Sequence, residues 1–351
     1  MAKGVHNALS VVLALSKAFG AFTMSFQGQI YVFSYKLYAY FIVLVIGVLV
    51  QGIIDAFIAS SEHPLSLVMF IDYFVFSIYI FTAIIISFQH YYLRESLPAI
   101  ISELGDMDQL IGNVSYSGYY KFGVIVLFVL NALPRIFAVA ERPFTWNHLL
   151  KRTLYFFITV VPVLVGGQYG SVLQILSRQL HSLSEQLNNF QSNLEVWTLI
   201  DVHHNLVLLA DRINKAFNMY LLNTITFCFV IDILKLYFVI VYIVKPVTYT
   251  DLELTVISSM DILVNWGSIF TIVFAAMEAK KKAELFNKQL LKSLLISKTI
   301  AQDEKIRTYL GMKHSIQQSA CNFFSLDYHL LTSMAAGTTT YVILLVQFTL
   351  L

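Results

Sequence analysis

The chain has 351 residues, 58% of them hydrophobic and only 13% charged, with a mean hydropathy of +0.70 and a formal net charge of +2. A soluble domain carries about 25% charged residues, so charges are too few here to clothe a water-facing surface; the net charge itself says nothing useful about partners, and no nucleic-acid partner is expected. The two cysteines, Cys228 and Cys321, have no CxxC spacing and make neither a disulfide framework nor a metal site.

Residues 1–36 read as a cytoplasmic N-terminal segment. Lys17, just past the apolar stretch from Ala8 to Leu15, leaves that stretch short, and the alternation of Leu13, Leu15 and Phe19 with Ser16 and Lys17 suits an interfacial helix better than a cleaved secretory signal. Apolar windows long enough to cross about 30 Å of hydrocarbon then occur at 37–59, 66–89, 119–139, 153–177, 219–244, 255–277 and 327–350. Backbone polar groups inside lipid must be satisfied within each segment, so these seven are helices. The window at 153–177 is the weakest, because Gly166, Gly167, Gln168 and Gly170 break its apolar run. The fold class is therefore an all-α membrane protein with seven transmembrane helices, multi-pass in the plasma membrane and in contact with membrane lipid.

Cationic residues beside spans stay on the cytoplasmic side. With the N-terminus inside, 17 of the 23 Lys and Arg fall there, nine of them between Lys280 and Lys313, while Arg142, Lys151, Arg152 and Lys245 are left outside. The C-terminus is then extracellular. A G-protein-coupled receptor has the opposite orientation; Ala140-Glu141-Arg142 resembles its acidic-Arg motif, but the seventh span has no proline for an NPxxY-like kink. The sequon at Asn113 falls in a cytoplasmic loop and is expected to be unused.

External connections are short, so a ligand must bind among the helices of the region 37–277. On the cytoplasmic side the helical period continues through 177–220, with Leu180, Leu183, Leu187 and Phe190 and then Leu206, Leu209, Ile213 and Phe217, and again through 278–322, read as anchor helices. Lys280, Lys281 and Lys282 read as the stop-transfer flank of the sixth span. Ionisable residues inside spans cost about 2.5–3.5 kcal/mol on insertion scales and are functional candidates: Asp72, Arg135, Asp232, Lys235 and Asp261. Asp232 and Lys235, three apart on one helix, are expected to pair. Asp72, Tyr73, Phe76, Asn131, Arg135, Tyr155, Phe156, Thr159, Asp261, Asn265 and Trp266 are the ligand-pocket candidates, combining aromatic faces with polar tips suited to flat alkaloid-like or neutral polyol molecules. There is no HExxH, nucleotide-binding glycine loop or GxSxG, and adjacent His203 and His204 diverge on a helix, so no enzyme, cofactor or metal is expected.

The last stretch, 323–351, contains Thr340-Tyr341, five apolar residues, then Gln347-Phe348. Together with Leu326-Asp327, the small residues Ala335, Ala336 and Gly337, and the N-terminal Leu15-Ser-Lys17-Ala-Phe-Gly20, it resembles the signature of insect gustatory receptors. That resemblance implies a chemosensory ligand-gated, non-selective cation channel, a tetramer of one chain or a heterotetramer with related subunits, whose seventh helix lines the pore and whose other helices hold a small-molecule tastant. Sugar-responsive members carry an acidic residue after the Thr-Tyr pair; Val342 stands there, which points to bitter or other non-sugar ligands. The residues agree with a pore. At about 100° per residue, His329, Ser333, Ala336, Thr340, Leu344, Gln347 and Leu351 form one stripe, a mixture of no use against lipid. Thr340, Leu344, Gln347 and Phe348 are the pore and gate candidates.

Overall fold

The computed structural model describes the backbone except at residues 1–2, 20, 28–29, 63–66, 113, 115, 117–118, 141–145, 189–192, 245–248, 297–301, 313–314 and 351. Side chains near several of those gaps, including Asp72, Tyr73, Phe76 and Tyr155, lie outside the description, as do Asn113 of the sequon and Leu351 of the stripe.

The described residues form ten helices: α1 (Lys3–Ala18), α2 (Tyr35–Glu62), α3 (Leu67–Tyr92), α4 (Ser96–Ile111), α5 (Tyr119–Ala140), α6 (Trp146–Leu187), α7 (Asn193–Val244), α8 (Tyr249–Ile296), α9 (Glu304–Gly311) and α10 (Tyr328–Leu350). Two small antiparallel hairpins join them, β1 (Met24–Gln27) with β2 (Ile30–Phe33) and β3 (Ser319–Ala320) with β4 (Phe324–Ser325). Seven helices have 22 residues or more, and they coincide with the seven apolar windows of the sequence. Stretches of α2, α6, α7, α8 and α10 are long and apolar enough on their described residues alone to cross a bilayer.

α6 is the hub, with α1, α2, α3, α4, α5, α7 and α8 all packed on it, and every residue from Thr159 to Leu173 is buried. This explains the weak apolar signal at 153–177. A helix surrounded by protein does not need a lipid-compatible surface, and its glycines admit neighbours instead. A Cβ on Gly167 would sit 2.9 Å from Val124 of α5, and one on Gly166 would sit 3.3 Å from Ile272 of α8. Gln168, polar at mid-helix, donates to the Ala21 carbonyl at 2.7 Å and so ties the connection between α1 and β1 to the hub.

Two expectations, for α1 and for 278–322, need correction. α1 does not lie free on an interface: Val5, Leu9, Val12 and Leu13 are buried against α6 and its neighbours. The helical extensions expected near 177–220 are the end of α6, to Leu187, and the start of α7, from Asn193. In the anchor 278–322 the described helices are the end of α8, to Ile296, and α9, whereas residues 315–318 are not helical and Ser319–Ala320 form β3.

The cation-rich end of the bundle is built from these pieces. Glutamines on α6 serve α4: Gln179 donates to the Leu104 carbonyl at 2.8 Å and Gln186 to the Ile111 carbonyl at 2.7 Å. Buried Asp108 accepts from the Tyr116 hydroxyl at 2.6 Å and the Val114 amide at 3.2 Å, closing the turn after α4. Burial, and then Asp108, push the Tyr116 hydroxyl pKa up, so it stays protonated and keeps donating. His203 lies buried, stacked on Phe286 and bonded to the Tyr309 hydroxyl of α9 at 2.5 Å.

Candidate functional site

At the opposite end from the lysines, α5, α7 and α8 each bring an ionisable side chain to one buried point. Asp261 of α8 is 3% exposed, and its two oxygens are divided between two helices. Arg135 Nη2 of α5 donates to Oδ1 at 2.5 Å, and Lys235 Nζ of α7 donates to Oδ2 at 2.5 Å. Arg135 also donates through Nη1 to the Asn131 carbonyl at 2.5 Å and to Asn131 Oδ1 at 2.9 Å. Thr159 of α6 joins by donating to Asn131 Oδ1 at 3.2 Å. Asp232 does not take Lys235, its neighbour by one turn, contrary to the expected i,i+3 pair; Asn265 Nδ2 donates to its Oδ1 at 2.7 Å, and Oδ2 has no hydrogen bond among the described residues.

Arg135, Lys235 and Asp261 thus form an ionic cluster with almost no exposure, with buried Asp232 held beside it by Asn265. Charge-assisted bonds of this length are strong once made, and the low dielectric makes removal of any one member costly. The cluster's chemistry is that of a clasp across three helices rather than of an acid–base pair, because every cation is already bonded to a carboxylate.

Of the eleven pocket candidates, the structure brings Asn131, Arg135, Thr159, Asp261 and Asn265 together. Phe156 lies half-buried beside them, with its ring edge-on to Phe128 at 5.9 Å and its carbonyl accepting from Thr159 at 3.0 Å. Trp266 packs against the core. Asp72, Tyr73, Phe76 and Tyr155 fall outside the described side chains. Sequence reasoning missed that Lys235 belongs to this group; the signal available was its presence in a span at the same depth as Asp261. A separate cavity, about the size of a water molecule, lies between the β1 strand, α3, α6 and α7 and is lined by His90, Gln168 and Tyr220 among others. By helical rise it is about 22 Å along α7 from Lys235, so it is not the predicted pocket.

α10 is attached along one side only. Leu330, Met334, Thr338 and Val342 are buried, facing α7 and α8, whereas His329, Ser333, Ala336, Thr340, Leu344 and Gln347, the described members of the stripe, are all exposed, as is Phe348. Thr340 turns its hydroxyl back to the Ala336 carbonyl at 2.9 Å. Tyr341 meets Phe229 of α7 edge-on at 6.2 Å, and a Cβ on Gly337 would lie 3.1 Å from that same Phe229 ring. Asp327 caps the helix, accepting from the His329 amide at 3.0 Å and from the Ser325 hydroxyl at 2.8 Å. The preceding hairpin is held on α7, where Asn214 accepts from the Ser319 amide at 3.0 Å and Asn218 accepts from the Cys321 amide. Its turn places Cys321 and Asn322 in the left-handed region, which asparagine tolerates better than most residues.

A family model described as 7tm Chemosensory receptor matches residues 9–351. Putative gustatory receptor 28b of Drosophila melanogaster is 26% identical over 156 residues, which are 43% of this chain and 33% of that protein. The match therefore spans about a third of the length of that relative. The insect olfactory receptor OR5 from Machilis hrabei, in complex with eugenol, has the same fold: TM-score 0.70 over 98% of this chain and 97% of that one, at 11% identity. A second structure of that receptor gives a TM-score of 0.64 over 98% of both chains, at 12% identity.

Proposed function

We propose that this chain, which belongs to the 7tm chemosensory receptor family, is one subunit of a tetrameric ligand-gated cation channel of the plasma membrane, opened by a small-molecule tastant other than a sugar. The observation that carries the channel reading is the uncovered stripe of α10. In an apolar helix packed on one side only, His329, Ser333, Thr340 and Gln347 share a face with Leu344, and that face is exposed. A helix meant wholly for lipid gains nothing from that mixture, whereas copies arranged around an axis would present a hydroxyl ring, an apolar ring and an amide ring to an ion path. The absence of a charged ring among Thr340, Leu344 and Gln347 suits a weakly selective cation pathway. The role is gating rather than catalysis.

The non-sugar reading rests on Val342. It is 3% exposed on the side of α10 that faces its neighbours, so it offers neither a pore nor a pocket an acidic group. Ligand binding is assigned to the helix interfaces near Asn131, Phe156, Thr159, Asn265 and Trp266. In cells expressing this chain at the surface, currents or calcium entry are measured against sugars, plant bitter compounds and eugenol, the compound seen with the Machilis receptor. A response to a non-sugar compound with none to sugars is expected. Robust sugar responses from this chain alone would overturn the ligand assignment.

The same cells test the orientation. Seventeen of 23 cations lie on the side proposed as cytoplasmic, so a tag after Leu351 should stain on intact cells and one before Ala2 should stain only after permeabilisation. The reverse labelling would sink the N-in topology and the channel model with it.

A further inference from the structure

We propose that the buried clasp of Arg135, Lys235 and Asp261 is a gating element that holds α7, and through α7 the pore helix, in its resting position; this rests on the channel reading above. Lys235 is the one member of the three on α7, and its bond to Asp261 Oδ2 at 2.5 Å ties that helix to α8. Arg135 fastens the other oxygen of the same carboxylate to α5 at 2.5 Å. Phe229 lies six residues before Lys235 on α7, about 9 Å along the axis and about 120° around it. One face of this short stretch therefore takes the carboxylate of α8, and another takes the pore helix.

The contact with the pore helix is close and specific. The Phe229 ring fills the space a Cβ would need at Gly337 and meets Tyr341 edge-on. Densely packed elements shift as units rather than deform continuously, so a displacement of α7 past α8 carries Phe229, and with it Gly337 and Tyr341. The ligand-pocket candidates Asn131, Thr159 and Asn265 adjoin the clasp through the bonds from Arg135 and Thr159 to Asn131 and from Asn265 to Asp232. A molecule that reorders those amides changes the surroundings of the carboxylate to which α7 is fastened. Weakening the Lys235 bond should then lower the cost of moving α7 without a ligand.

The test is basal current, which needs no agonist, in cells expressing the full chain with surface level measured by an external tag. Lys235→Met removes the α7 bond but leaves Arg135 on Asp261, so the carboxylate keeps a counter-charge. It should raise basal current about threefold or more, in the range by which coupling mutations shift such equilibria. Lys235→Arg, which restores charge and donor, should return the current to the wild-type level. Lys215→Met, which breaks an exposed pair with Asp211 on the same helix at 2.7 Å, should leave it unchanged. Leu344→Ser, made in the pore itself, separates the two readings. If it conducts while Lys235→Met does not exceed wild type, the clasp inference is wrong and the channel reading stands. If neither variant conducts at normal surface level, the channel reading fails first. Lys235→Gln, which keeps a donor but not the charge, backs up the methionine variant; if neither reaches the surface, Lys235 is a folding element and the gating role is overturned.

Discussion

Asp261→Ala should be the most damaging single substitution in the transmembrane region, with loss of most surface protein and of a monodisperse species in detergent. Arg135 and Lys235 share that one carboxylate, and they are 4% and 5% exposed. Deleting it strips both cations of the counter-charge between them. Removing one member of a buried ionic group costs about 3–5 kcal/mol, against a total stability on the order of 5–15 kcal/mol. Asp232 is bonded to Asn265 on α8 and to neither cation, so no second carboxylate is already in place to take over from Asp261. Replacing the whole cluster, Arg135→Met with Lys235→Met and Asp261→Leu, should recover surface expression, since well-packed apolar groups often equal a buried ion cluster in stability. Surface labelling and thermal melting by size exclusion measure both. Wild-type levels for Asp261→Ala would mean that water reaches the cluster and the burial argument is wrong.

The long helices are legible in the sequence because a bilayer imposes a length and an apolar composition that few other structures need. α4 is less so: Leu97, Ile100, Ile101, Leu104 and Ile111 make a clear amphipathic repeat, but a 20-residue hydropathy window averages 16 residues of it with polar flanks. The weak window at 153–177 shows the converse, since glycines and glutamine there signal burial in protein rather than a poor span. At the candidate site, residue types and depth suffice to gather Asn131, Arg135, Thr159, Asp261 and Asn265. The partner of Lys235 is not readable. The choice between Asp232 on its own helix and Asp261 on the next depends on how α7 and α8 rotate against each other, which packing decides and local spacing does not. The face of α10 is readable in part, because its buried side is mostly apolar, with Leu330, Met334 and Val342 beside Thr338, whereas its exposed side mixes Ser333, Thr340 and Gln347 with Leu344.

That face leads to the second large effect. Leu344→Ser is expected to raise ligand-independent current about tenfold, the change produced by about 1.4 kcal/mol in a two-state equilibrium. Leu344 is 43% exposed and lies one turn from Thr340 and three residues from Gln347 on the same stripe. In the proposed pore it is the apolar ring between two polar ones, and a narrow apolar ring closes a pore by expelling water. A serine hydroxyl at that ring restores hydration and lowers the cost of wetting. Gln347→Ala should change conductance or ion preference more than ligand sensitivity, because its amide lies along the same path. Leu345 is the matched control: it packs against the core instead of standing on the exposed face. Leu345→Ser should therefore lower the amount of folded protein without opening the pore. Patch-clamp current normalised to surface tag separates the two effects. If Leu345→Ser raised basal current per channel while Leu344→Ser left it and the ion selectivity untouched, the pore would be lined by the other side of α10. The stripe through Thr340 and Gln347 would then face lipid or a neighbouring subunit.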